Sequence, residues 1–127
     1  IGLLATTGTV QTGIYGDKAN AMGLPMFVPD DVHQERVMAA IYGPQGAKAG
    51  YTNGICREDL ISAAEYLVKT HGCNCLILGC TELPLILDES DDFEVAGSRV
   101  IVVDPTAALA RKVVKTAEDA YAATGIR

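Results

Sequence analysis

Short aliphatic runs alternate along this chain with longer stretches whose apolar residues recur every three or four positions, the signature of strands alternating with helices. Ile1-Gly2-Leu3-Leu4-Ala5 reads as a first strand, and Thr6-Thr7-Gly8-Thr9 as a polar turn after it. Helical spacing then runs over residues 10–22 and stops at Gly23, a natural C-cap. Pro25-Met26-Phe27-Val28-Pro29 is a short second strand fenced by prolines. Asp30 and Asp31 suit the start of the next helix, with Val32, Val37, Ala40 and Ile41 as its apolar face. Residues 42–54 contain Gly43, Gly46, Gly50 and Gly54 together with Pro44, and read as a loop or broken helix.

Residues 57–71 predict a helix: Leu60, Ala64, Leu67, Val68 and His71 keep the period and Gly72 stops it. A strand follows over Cys75 to Leu78, then a short helix near Pro84 over residues 83–87. Residues 88–94 hold five acids in seven positions and read as a solvated loop. Residues 100–103 form the last strand, closed by Asp104-Pro105-Thr106, and the alanine-rich residues 107–123 a long helix ending at Thr124-Gly125. Four strands alternating with helices predict an α/β fold, a four-stranded parallel sheet flanked by helices with right-handed crossovers. No repeat or linker divides the chain, so residues 1–127 form a single domain.

Composition narrows the partners. The formal charge is −6 and the pI near 4.7, which argues against nucleic acid or an anionic membrane. An anionic ligand therefore needs a local cation. No apolar run reaches the length of a membrane span and no signal-peptide pattern opens the chain, so the cytoplasm is the expected compartment. The chain starts at Ile1, already inside a strand, which implies processing or a piece of something longer.

The chemistry concentrates at Leu76-Ile77-Leu78-Gly79-Cys80-Thr81-Glu82-Leu83-Pro84. An apolar run ended by Gly and polar residues is a buried parallel strand reaching its carboxyl end, the edge where open α/β sheets bind ligands. A thiol, a hydroxyl and a carboxylate arrive there together. Two readings stay open at this point: a site, or a buried Cys followed by an N-cap Thr. Thr6-Thr7-Gly8-Thr9, at a strand-to-helix junction, has backbone N–H groups suited to a carboxylate or phosphate, although turn and cap roles explain the threonines as well. Neither a dinucleotide fingerprint nor a P-loop is present. Lys48 is the only charge in its glycine-rich loop. Cys73, Cys75 and Cys80 fit no common zinc spacing, and no metal is expected; a disulfide framework is equally unexpected. His33 and His71 are explained by the first and last turns of their helices.

Leu3-Leu4-Ala5-Thr6-Thr7-Gly8-Thr9, Ile41-Tyr42 leading to Lys48-Ala49-Gly50, Leu78-Gly79-Cys80-Thr81-Glu82-Leu83-Pro84 and Val103-Asp104-Pro105 together resemble the carboxyl-terminal half of the cofactor-independent aspartate/glutamate racemase family. The pieces occur in the family's order and span nearly the whole chain. The resemblance implies a flavodoxin-like half of a two-domain racemase whose preceding domain is absent here. It implies two-base proton transfer at the α-carbon of an acidic amino acid, aspartate or both aspartate and glutamate, without a cofactor. Cys80 is then one acid/base, working on the L-face; Thr7, Lys48, Thr81 and Glu82 bind substrate, Glu82 either orienting the ammonium group or ordering the turn. Glutamate racemases usually carry His where Glu82 stands, which points to the aspartate or broad-specificity branch. A nearby helix start and the reach of Lys48 are expected to favour a Cys80 thiolate.

The family's other cysteine lies in a Cys-Asn-Thr-Ala-His-like segment that has no counterpart here, and Cys56, Cys73 and Cys75 lack its neighbours. The piece alone is therefore expected to be inactive, and the last helix to have lost part of its partner surface. The resemblance also implies a homodimer in the intact protein. The other readings are a hydantoin racemase, maleate isomerase or arylmalonate decarboxylase of the same superfamily, or a non-catalytic α/β domain that binds a small ligand.

Overall fold

The computed structural model describes residues 1–124. Its order is β1 (Gly2–Leu4), α1 (Thr7–Thr12), α2 (Ile14–Ala21), α3 (Asp31–Tyr42), α4 (Ile55–His71), β2 (Cys75–Leu78), β3 (Ser90–Val95), β4 (Ser98–Val103) and α5 (Pro105–Thr124), with single 3-10 turns at Ala47–Ala49 and Leu83–Leu85. The sheet runs β1-β2-β4-β3. Pairing is parallel between β1 and β2 and between β2 and β4, and antiparallel between β3 and β4. The expected α/β architecture, four strands flanked by helices, is present, with one antiparallel pair.

Two strand assignments change. Phe27 makes only an isolated bridge to Gly2, donating to Ile1 O at 2.8 Å and accepting from Leu3 N at 2.9 Å. Pro25 and Pro29 have no N–H to extend the ladder. The fourth strand lies instead in the acidic stretch expected to be a loop: Ser90–Val95 pairs with Ser98–Val103 through a two-residue turn. Ala96 and Gly97 both have positive φ, 52° and 75°, the backbone that closes a tight hairpin.

Helix ends follow local chemistry. Thr6 Oγ1 accepts from Thr9 N, so α1 starts inside what the sequence presents as a polar turn. Gly13, left-handed at φ 72°, breaks the expected continuous helix into α1 and α2. Asp30 caps α3 by accepting from His33 N at 2.9 Å. Asp104 Oδ1 caps α5 by accepting from Thr106 N and Ala107 N. Gly72 ends α4 as expected. The expected close of the last helix at Gly125 lies outside the described residues.

The core lies between one sheet face and the packed pair α3 and α4. Leu4, Leu76, Leu78, Val100 and Val102 meet Val37, Ile41, Leu60, Ala64 and Leu67 there. Full burial of each such leucine contributes about 1.5–3 kcal/mol. Strand alternation sends Leu3, Ile77 and Ile101 to the other face. Leu3 is buried there, whereas Ile101 is 46% exposed. Helix α5 buries none of its residues: Leu109, Val113, Val114 and Tyr121 are all exposed. Arg111 ties it to Glu89 through paired contacts of 3.0 and 3.3 Å.

Candidate functional site

Strands β1 and β2 end side by side, fixed by the Gly79 N–H donating to Leu4 O at 2.7 Å. A Cβ at position 79 would lie 2.8 Å from Leu3 Cδ1 and 3.0 Å from Ala5 Cβ, so only glycine fits without displacement. The chain then turns sharply. Leu83 N donates to Cys80 O, and Leu83, Ile86 and Leu87 drop into the core. From α4, Arg57 Nη1 donates to Ile86 O at 2.7 Å and pins the far end of this turn. Cys80, Thr81 and Glu82 are thus held on a short rigid arch over the carboxyl edge.

Lys48 reaches the arch from the other side. Its 3-10 turn follows Gly46, which lies so close to the end of α3 that a Cβ there would stand 2.8 Å from Ala39 O. Ala47 is buried and Lys48 projects outward, its Nζ 5.4 Å from the centre of the Tyr42 ring. That is cation–π range.

The two arms meet at Glu82. Oε1 accepts from Lys48 Nζ at 2.9 Å. Oε2 accepts from Thr81 Oγ1 at 2.9 Å and from Cys80 Sγ at 3.0 Å. These bonds from Cys80, Lys48 and Thr81, in that order of importance, hold the Glu82 carboxyl well down, to about 2. Glu82 in turn raises the Lys48 ammonium. Burial, and then the bond to Glu82, push the Cys80 thiol up. The expected thiolate-favouring environment is therefore reversed, because Glu82 stands between Lys48 and Cys80 and takes the lysine's charge for itself. The Leu83–Leu85 helix, a single 3-10 turn, is too short to offset this.

Four of the five predicted site residues, Cys80, Thr81, Glu82 and Lys48, form one hydrogen-bonded group. Thr7 belongs to a neighbouring one on the same edge, at the end of β1. Gln34 Nε2 donates to Ala5 O at 2.8 Å and to Thr7 Oγ1 at 3.4 Å, and the Thr7 N–H points at Met38 Sδ. Gln34 Oε1 is buried with no partner among the described residues. At this helix start the Thr7 and Thr9 N–H groups are therefore already engaged within the chain.

Burial raises the Cys73 and Cys75 thiols, and neither they nor Cys56 join the group. Among the described residues no cluster of His, Cys, Asp and Glu is arranged to hold a metal ion. A groove of about 370 Å³ lined by Glu89, Ser90, Asp91, Val102 and Arg111 shares no residue with the cluster, and its one cation is already paired to Glu89.

This edge chemistry coincides with a family match. The model describing Asp/Glu/Hydantoin racemase covers residues 1–113. The chain belongs to that family. An uncharacterized protein from the 3′ region of pnlA in Pectobacterium carotovorum subsp. carotovorum is 39% identical over 115 residues, 91% of this chain and 71% of that protein. An aspartate racemase homologue from Pyrococcus horikoshii superposes with a TM-score of 0.73 at 26% identity, over 92% of this chain and 47% of its own. An Asp/Glu racemase candidate from Yersinia pestis gives 0.64 at 28% identity, over 84% and 43%. The chain spans less than half the length of both solved racemase homologues.

Sequence reasoning gave no site role to Gln34 or Arg57, and named Tyr42 only within the Ile41-Tyr42 motif. Tyr42 carried a signal, since it precedes the glycine-rich loop and its ring lies against the Lys48 ammonium. Gln34 and Arg57 look like ordinary polar helix positions, and only the fold brings them to Thr7 and to the arch. No helix among the described residues is long and apolar enough to cross a membrane.

Proposed function

We propose that this chain is the second half of a cofactor-independent racemase of an acidic amino acid, aspartate or both aspartate and glutamate. The observation that carries the reading is the Cys80–Glu82–Lys48 group on the carboxyl edge of a racemase-family fold. Cys80 exchanges the α-proton on one face of the substrate. A second acid/base, from a preceding domain, acts on the other. Lys48, half exposed, binds a substrate carboxylate and offsets charge that builds up as the carbanion forms. Thr7 and Thr81 contribute hydroxyls on either side of the edge, and Glu82 binds or orders the reacting groups.

The apolar stripe of α5, unburied in this chain, supports a domain partner for that helix. The open arch, with Lys48 and Thr81 exposed, suits a site whose other wall comes from the same domain. The intact protein is then a homodimer of two-domain chains in the cytoplasm.

The test is solvent exchange by the protein as encoded in full. L-Aspartate in D2O should gain deuterium at the α-carbon, and Cys80→Ser should abolish the gain, while residues 1–127 alone should racemise neither aspartate nor glutamate. Absence of exchange by the unsubstituted full protein would favour a binding domain. Exchange confined to a hydantoin would move the substrate class, and turnover by residues 1–127 would refute the two-base division.

A further inference from the structure

One carboxylate joins every reactive group of the cluster. Both oxygens of Glu82 are engaged within the chain, Oε1 by Lys48 and Oε2 by Thr81 and Cys80. Lys48, by contrast, spends one of its three N–H donors on Glu82 and is 46% exposed. Of the two, Lys48 is open to a ligand and Glu82 is occupied.

The direction of the Cys80 bond is informative. An ionised carboxylate only accepts, so a bond between Sγ and Oε2 requires the hydrogen to sit on sulfur. A thiolate in the same place would set two negative charges about 3 Å apart. Thr81, donating to the same oxygen, and Lys48, donating to the other, leave the carboxylate little freedom to turn away.

We propose that Glu82 is the positioning residue of Cys80: it fixes the Sγ proton in place and aims it, making the neutral thiol the resting form of this group. Lys48 keeps Glu82 ionised and anchored. The titratable groups acting on Cys80 are Glu82, on its own turn, and Lys48, from the Ala47–Ala49 turn; Tyr42 faces Lys48. The catalytic meaning of this arrangement rests on the racemase reading. There, the thiol gives its proton to the carbanion, and the sulfur left beside Glu82 is a stronger base than an ordinary thiolate. Strong basicity is what removal of a weakly acidic α-proton requires on the return step. The proton moves between Sγ and the α-carbon, and nothing else is consumed.

The experiment reads the thiol directly and needs no turnover. Residues 1–127 are alkylated with iodoacetamide across pH, and the Cys80 peptide is quantified by mass spectrometry. The unsubstituted chain should show a Cys80 midpoint above that of an ordinary thiol. Glu82→Gln should lower the midpoint, so that alkylation at pH 8 speeds up roughly threefold to tenfold as the thiolate fraction rises. A folded Glu82→Gln chain with an unchanged or higher midpoint would overturn the proposal and leave Glu82 as a turn-ordering residue. Should Glu82→Gln fail to fold, Glu82→Asp is read instead: one methylene shorter, it cannot span Cys80 and Lys48 together. Its midpoint should fall part of the way, and an unchanged one overturns the proposal equally. A protein that fails to racemise leaves these outcomes untouched, so the two ideas fail separately.

Discussion

Gly79 offers the sharpest test of how the site is built. A Cβ there would meet Leu3 Cδ1 at 2.8 Å, Ala5 Cβ at 3.0 Å and Tyr15 Cε2 at 3.3 Å. Apolar carbons prefer about 3.5–4.0 Å, so all three contacts are repulsive. Ala5 Cβ is fixed to the backbone, and Leu3, 1% exposed, has nowhere to swing. The strand must move, yet Gly79 N is bonded to Leu4 O at 2.7 Å. Overpacking of this kind costs about 1–3 kcal/mol. For a chain of this size, that corresponds to a loss of about 3–6 °C in Tm for each kcal/mol. Gly8→Ala is the internal control. Position 8 lies in α1 with no atom within 4 Å of a new Cβ, so alanine there should be neutral or stabilising by up to about 1 kcal/mol. Thermal and urea unfolding followed by circular dichroism would measure both. Equal stabilities for Gly79→Ala and the unsubstituted chain, at equal m-values, would refute the claim that β1 and β2 meet as tightly as described.

Two further outcomes follow from other contacts. Arg57→Ala should cost about 1.5–3 kcal/mol, the usual range for a hydrogen bond from a charged group, because Ile86 O loses its partner; hydrogen exchange should quicken at the Ile86 and Leu87 amides, and unchanged protection there would contradict the pinning role. Asp30 lies below its ordinary value of 3.8, chiefly through the His33 backbone N–H and then the His33 side chain. A lowered carboxyl stabilises the fold above its unfolded pKa and loses that contribution as pH falls through the folded value. Urea midpoints should therefore decline below about pH 4, and Asp30→Asn, which still caps the helix, should decline less steeply; identical slopes would remove Asp30 from the acid transition.

How much of this the sequence reveals depends on where the physics is local. The period of α4 and its Gly72 stop are local, as is the apolar run of β2 into Gly79, and the structure follows them. Strand β3 is not local in that sense. Its acids Asp91, Asp92 and Glu94 are exposed, as charged side chains of edge strands commonly are, so hydrophobicity does not mark it. The usable signal was the alternation of Phe93, Val95, Val100 and Val102 about the two-residue Ala96-Gly97 turn. The break at Gly13 was equally hidden, since a glycine inside a helical period is compatible with either a continuous or a divided helix. At the site, Cys80, Thr81 and Glu82 are adjacent in sequence and Lys48 is the only charge in its loop, so all four stand out. Their order does not. Whether Lys48 faces the thiol or the carboxylate decides the sign of the Cys80 shift, and only the folded contacts give it.

Both arms of the site hang from the same support. Lys48 is placed by Gly46 and Tyr42 at the end of α3, and the arch bearing Cys80 is pinned by Arg57 near the start of α4. Helices α3 and α4 also supply most of the side chains that bury the sheet face, with Val37, Ala40, Ile41, Leu60, Ala63 and Leu67 inaccessible to solvent. The spacing between Lys48, Glu82 and Cys80 is thereby tied to the best-packed part of the molecule, although 34 positions separate Lys48 from Glu82. Charged groups held on rigid elements keep their geometry without the reorganisation a flexible loop would require. The acidic chain, at −6 overall, in this way presents one half-exposed cation at a fixed place on its carboxyl edge. On the proposed reading, an anionic ligand meets that cation against the field of the whole protein, beside Cys80, whose thiol donates to Glu82.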